Sequence, residues 1–111
     1  MPPSKVYLVT RQDLTPGQQA VQAAHALQEL NQHARDTIDS WYATSNTLAL
    51  LATPDEGALE RLYQKALDRG IPACRFQEPD LNNQTTAIAL GPEAAKLVRS
   101  LPLALKEVRP P

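Results

Sequence analysis

Apolar and polar positions change their period along this chain, and each change marks an element. Lys5–Thr10 is a short, mostly apolar run and reads as a buried strand. From Pro16 the period becomes helical. Ala20, Ala23, Leu27, Leu30 and Ala34 fall on one stripe, and Gln18, Gln22, His25 and Glu29 on the opposite one. That pattern predicts an amphipathic helix over Pro16–Arg35. Its start is well marked: Thr15 caps, Pro16 takes the first helical position, and Gln18 completes a capping box with Thr15. Asp36–Asn46 reads as a short helical turn whose Ile38, Trp41 and Tyr42 close over the core.

Thr47–Ala52 is a second short apolar strand. Thr53-Pro54-Asp55-Glu56 reads as another capping box with proline at the first helical position. Ala58, Leu59, Leu62, Tyr63, Ala66 and Leu67 form the apolar face of the helix that follows, and Gly70 with Pro72 ends it. Ala73–Gln77 and Thr85–Leu90 read as the third and fourth strands, and Gly91-Pro92-Glu93 opens a third helix with Ala94, Ala95, Leu97, Val98 and Leu101 as its apolar residues.

Helical crossovers make the first three strands parallel. Glu78–Gln84 is too short for a crossover, so the fourth strand runs antiparallel to the third. The expected fold is α/β, three layers as α/β/α, with a small mixed four-stranded sheet. The pattern leaves strand order open. The first helix starts at the carboxyl end of a strand, where open α/β sheets hold their ligands.

The chain has 111 residues, the size of one compact domain, with a core expected over about 5–106. A net charge of -1 lowers the expectation of a dedicated nucleic-acid binder, though a local basic cluster would suffice. Cys74 is the single cysteine, so no disulfide within the chain and no multi-cysteine zinc site is possible. No apolar run reaches membrane-spanning length and the amino-terminal residues lack a signal-peptide pattern, so the expected location is the cytoplasm. His25 and His33 lie eight positions apart and off one face, and the four glycines are scattered, so neither a metal site nor a phosphate loop nor any cofactor is expected. The Pro-rich ends, Met1–Ser4 and Arg109–Pro111, are expected to fray.

Arg11, Asp13, Leu14, Gly17, Ala20, Gln22, His25 and Ala26, placed after the first strand, resemble the start of type 2 peptidyl-tRNA hydrolases. The resemblance continues through Trp41, through Thr53–Glu56, through Lys65, Ala66 and Gly70, and through Thr86-Ala87-Ile88-Ala89-Leu90-Gly91-Pro92. It implies hydrolysis of the ester between a peptide and its tRNA. Three departures mark a divergent member. Gln18 stands where the family usually carries a lysine. The stretch Glu78–Gln84 is shorter than the family's acidic loop, and Pro102–Leu105 lacks the family's basic residues.

Cleaving an aminoacyl ester requires an activated water, a stabilised oxyanion and a proton for the leaving ribose oxygen. No serine has a nucleophile-elbow motif, so direct attack by water is expected. His25 is the candidate general base, because imidazole suits proton transfer near neutral pH. Asp13, Glu78 or Asp80 would orient it or hold the water, and Gln22 and Thr86 would donate hydrogen bonds. Arg11, Gln18 and Lys106 are the candidate substrate-binding residues, and Lys5, Lys96 and Arg99 add cations for a tRNA backbone. The competing expectation is a binding module, with RNA or protein partners, that keeps the fold without catalysis. A homodimer is a further expectation of the same kind.

Overall fold

A computed structural model describes residues 4–106. Its elements are β1 (Lys5–Arg11), α1 (Pro16–His33), α2 (Arg35–Thr44), β2 (Thr47–Thr53), α3 (Glu56–Asp68), β3 (Ala73–Glu78), β4 (Gln84–Leu90) and α4 (Ala95–Val98). Single 3-10 turns follow β3 at Pro79–Leu81 and precede α4 at Pro92–Ala94. The proline-rich ends lie outside the described residues, apart from Ser4.

The sheet order is β2-β1-β4-β3. β1 and β2 are parallel, and β4 is antiparallel to both β1 and β3. β1, β2 and β3 therefore run in one direction and β4 against them, as the loop lengths require. β4 inserts between β1 and β3, so the two neighbours in sequence at the middle of the chain, β2 and β3, become the two edges.

The strands alternate their side chains between two apolar layers. Val6 and Leu8 of β1, with Ala87 and Ala89 of β4, pack on Ala23, Ala26 and Leu30 of α1 and on Ile38 and Trp41 of α2. Val9, Ile88 and Leu90 face the other way, onto Leu59, Leu62 and Ala66 of α3 and onto Ala94 and Val98. These are the two helical layers of an α/β/α fold. Trp41 is buried and its indole N–H donates to the Thr47 carbonyl (2.8 Å), which satisfies its polar atom and pins α2 to β2.

Four expectations need correction. α1 is rotated relative to the expected stripe: its buried residues are Gln19, Gln22, Ala23, Ala26 and Leu30, and Ala20 is exposed. Two glutamines go inside because each finds hydrogen-bond partners there. α2 is a complete ten-residue helix, set apart from α1 by Ala34, whose φ of -134° and ψ of 56° leave the helical region, and it buries Ile38 and Trp41 while Tyr42, expected over the core, points to solvent at 69% exposure. α3 begins at Glu56 with Asp55 as its N-cap, its Oδ1 accepting from the Ala58 amide (2.9 Å). Thr53 instead ends β2, and its hydroxyl donates to the Thr10 carbonyl (3.3 Å).

The third helix is the fourth correction. It shrinks to a 3-10 turn and the one-turn α4. The chain then leaves it to run along the open edge of β2. Leu103 bridges to Leu51, the Ala52 amide donates to Pro102 O (3.0 Å), and the Ala104 amide donates to Leu50 O (3.0 Å). Covering half of an exposed strand edge satisfies backbone groups that a longer helix would have left to water.

Candidate active site

The carboxyl ends of β1 and β3, the start of β4 and the first half of α1 meet at one end of the sheet. Their polar side chains form two linked hydrogen-bond sets. In the first, the Thr86 hydroxyl donates to Gln22 Oε1 (2.7 Å) and Gln22 Nε2 donates to Glu78 Oε1 (3.0 Å). Thr86 is fully buried and Gln22 is 5% exposed, so this relay is closed at one end and opens at Glu78. Glu78 also caps the 3-10 turn after β3, with Oε2 facing the Asp80 amide at 3.4 Å.

In the second set Arg11 is the centre. Its Nε and Nη2 make a paired contact with Asp13 Oδ1 and Oδ2, both at 2.9 Å. Its Nη1 donates to Gln84 Oε1 (2.9 Å) and to the Thr85 carbonyl (3.2 Å). The guanidinium's hydrogen bond holds the Asp13 carboxyl below its ordinary range, and the same bond pushes Arg11 further up. The two sets touch through the neighbours Thr85 and Thr86, and the Thr10 hydroxyl donates to the Thr86 carbonyl (2.9 Å).

A β-bulge makes this arrangement possible. Phe76 pairs with Ala87 while Gln77 pairs with Thr85, so Thr86 is the extra residue on β4. Strict alternation would send Thr86 to the α3 side, because Ala87 packs on the α1 side. The extra residue instead leaves Thr86 and Ala87 both facing α1, and returns Thr85 to the α3 side. There the Thr85 hydroxyl meets Glu60 (2.7 Å) and its amide meets Glu56 (2.7 Å).

The candidate residues therefore separate by location. Gln22, Glu78 and Thr86 come together. Arg11 and Asp13 bind each other beside them. His25 lies one turn along α1 from Gln22, exposed, with its ring stacked on Phe76 at 4.3 Å between centroids and 10° between planes. No hydrogen bond joins it to Asp13, Glu78 or Asp80 among the described residues. Asp80 is exposed in the turn after Glu78. The Gln18 carboxamide is occupied at the helix start, where its Oε1 accepts from the Thr15 amide (3.0 Å) and its own amide donates to Thr15 Oγ1 (3.2 Å). Lys106 is exposed, one residue beyond Leu105, whose amide donates to Gln19 Oε1 (3.4 Å).

Two contributors were not singled out from the sequence. Gln19 is buried and ties three segments together, since its Nε2 also donates to Leu14 O (2.9 Å). Gln84 is one of the three residues that bind the Arg11 guanidinium, with Asp13 and Thr85. The signal available for Gln19 was its place three residues before Gln22 on the same face.

A family model, that of peptidyl-tRNA hydrolase PTH2, matches residues 4–108, nearly the whole chain. The chain belongs to the peptidyl-tRNA hydrolase PTH2 family. In this PTH2 chain the match covers both polar sets and all four strands. Three hollows of about 390, 440 and 270 Å³ open elsewhere on the surface, and none of the three is lined by Gln22, Glu78 or Thr86. Among the described residues no helix is long and apolar enough to cross a membrane, and no cluster of His, Cys, Asp and Glu suits a metal ion.

Proposed function

We propose that this chain hydrolyses the ester joining a peptide, or an N-blocked amino acid, to the ribose of tRNA. The observation that carries the reading is the relay from Thr86 through Gln22 to Glu78, at the strand ends of a chain that belongs to the PTH2 family. The reaction is a direct attack by water on the ester carbonyl. The His25 imidazole takes the water proton as the carbon–oxygen bond forms. The bond to the ribose oxygen then breaks, and the same proton goes to that oxygen. Glu78 holds the water beside the carbonyl. Gln22 has two amide N–H donors, one bound to Glu78, and the other steadies the oxyanion. Thr86 is buried, so it acts by fixing which way the Gln22 amide points. Lys106 contributes positive charge toward the phosphates, and Arg11, its charge paired with Asp13, ties the ends of β1 and β4 together beneath the site.

A second reading, a binding module that has lost the chemistry, is favoured by one observation. The Gln18 side chain closes the capping box of α1 and leaves no cation at the position where the family usually has lysine. Single-turnover hydrolysis of N-blocked aminoacyl-tRNA separates the two. Wild-type cleavage is expected, falling by about 10²–10³ in Gln22→Ala and by about 10²–10⁴ in His25→Ala. A wild-type rate equal to spontaneous hydrolysis would overturn the enzyme reading. Activity then appearing in Gln18→Lys would identify an intact scaffold lacking one charge.

A further inference from the structure

Thr85 is fully buried at the bulge, and each of its polar atoms is bound by a charged side chain. Its amide donates to Glu56 Oε2 (2.7 Å), its hydroxyl donates to Glu60 Oε1 (2.7 Å), and its carbonyl accepts from Arg11 Nη1 (3.2 Å). Glu60 is itself held by Arg75 Nη1, at 2.8 and 3.0 Å to its two oxygens. The Arg75 guanidinium lies over the Tyr63 ring, 5.3 Å from its centroid. Glu56, Glu60 and Tyr63 belong to α3 and Arg75 to β3. All four lie on the face of the sheet opposite α1.

We propose that Glu60 and Glu56 are positioning residues that hold the β4 bulge and thereby set Thr86 and Gln22 on the other face. The inference rests on the catalytic reading of Gln22 given above. The bulge is where the ladder is locally disrupted and a one-residue slip would exchange the faces of Thr85 and Thr86. A slip would turn the Thr85 side chain toward α1 and send Thr86 away from Gln22. Two carboxylates gripping Thr85 from α3 anchor this stretch of β4 to that helix, and Arg75 fixes Glu60 in turn, so the bulge is held in place from the α3 side. Charged acceptors at 2.7 Å are the strong class of hydrogen bond, and here they act on a buried strand residue. Small errors in position at a reacting group are costly in rate, so the effect of the clamp should be read in turnover.

The test compares Glu60→Ala, Glu60→Gln, Thr85→Val and Thr85→Ser, reading single-turnover kcat, KM, thermal midpoint and the side-chain amide resonance of Gln22. Glu60→Gln and Thr85→Ser keep the acceptor or the hydroxyl. Glu60→Ala and Thr85→Val remove them. The expected result is a kcat loss of about 10- to 100-fold in Glu60→Ala and Thr85→Val, with KM changed less than about 3-fold. Both conservative variants should restore kcat to within about 3-fold of wild type. The Gln22 amide resonance should move in Glu60→Ala, although Gln22 lies on the opposite face. Glu60 is partly exposed, so Glu60→Ala keeps the test readable if Thr85→Val fails to fold. An unchanged kcat and an unmoved Gln22 resonance in folded Glu60→Ala would overturn the proposal, whatever happens to its thermal midpoint. A wild type without hydrolytic activity would refute the catalytic reading alone, and the Gln22 resonance would then decide the clamp.

Discussion

Replacing Thr86 with valine changes one hydroxyl for one methyl in a fully buried position. The change in shape is small, so the consequence falls on polar groups. Gln22 Oε1 loses a donor at 2.7 Å and Gln22 is only 5% exposed, which leaves water little access to replace it. A buried acceptor stranded in this way costs about 1–3 kcal/mol. In a domain of this size that lowers the thermal midpoint by about 4–8 °C for each kcal/mol. The double variant Thr86→Val with Gln22→Leu removes both members of the pair. Glu78 is partly exposed and takes water in place of the Gln22 amide. The double variant should therefore be more stable than the sum of the single losses predicts, by about 1 kcal/mol or more. Equilibrium urea unfolding of wild type, both singles and the double measures this coupling, with the slope required to stay constant. Additive losses, or a Thr86→Val variant within about 0.5 kcal/mol of wild type, would refute the relay as drawn. The same Thr86→Val protein should lose hydrolytic rate while binding tRNA normally, because Thr86 acts only through Gln22.

Three further outcomes follow from other parts of the molecule. Asp55→Ala removes the side-chain acceptor of the Ala58 amide at the start of α3 and should cost about 1 kcal/mol in urea unfolding; no loss would mean that the cap is not formed in solution. Asp13 binds fewer protons folded than unfolded, so its contribution is full above the ordinary aspartate value of 3.8 and disappears as pH falls through the lower folded value. The stability gap between wild type and Asp13→Asn should accordingly close under acid, and a gap independent of pH would contradict the Arg11 pairing. Burial pushes the Cys74 thiol up, with Glu29 adding to the effect, so thiol reagents should modify it more slowly at pH 7 than a free cysteine; modification at the free rate would place it outside the α1 layer.

Much of the fold was legible because local rules sufficed. Thr15 and Gln18 announce the start of α1 and form the capping box observed. Gly70, with a φ of +68°, ends the run of α3 as a left-handed residue that glycine adopts freely. The directions of all four strands followed from the lengths of their connections, since a short link between β3 and β4 cannot cross over. Gln22, Glu78, Thr86, Arg11 and Asp13 gather near the carboxyl end of β1, where the first helix starts.

What a local reading missed has one physical source. Side-chain polarity reports what a residue can bind, and only the folded chain decides whether partners are present. Gln22 and Gln19 look like surface residues until Thr86, Glu78, Leu14 and Leu105 arrive from other segments to satisfy them. The helix could then rotate and bury both. Thr53-Pro54-Asp55-Glu56 reads as a capping box that starts at Thr53, but the ladder between β1 and β2 claims Thr53 and Asp55 becomes the cap. The bulge at Thr86 has no marker in sequence, since threonine suits either face of a strand. It is set by α3, whose Glu56 and Glu60 reach Thr85 across 29 and 25 residues of chain. The amino-acid sequence alone determined which segments are strands and helices and how the strands run, because those choices depend on near neighbours. The tertiary structure decided which polar side chains share a site, because hydrogen bonds between distant segments exist only after the sheet has assembled.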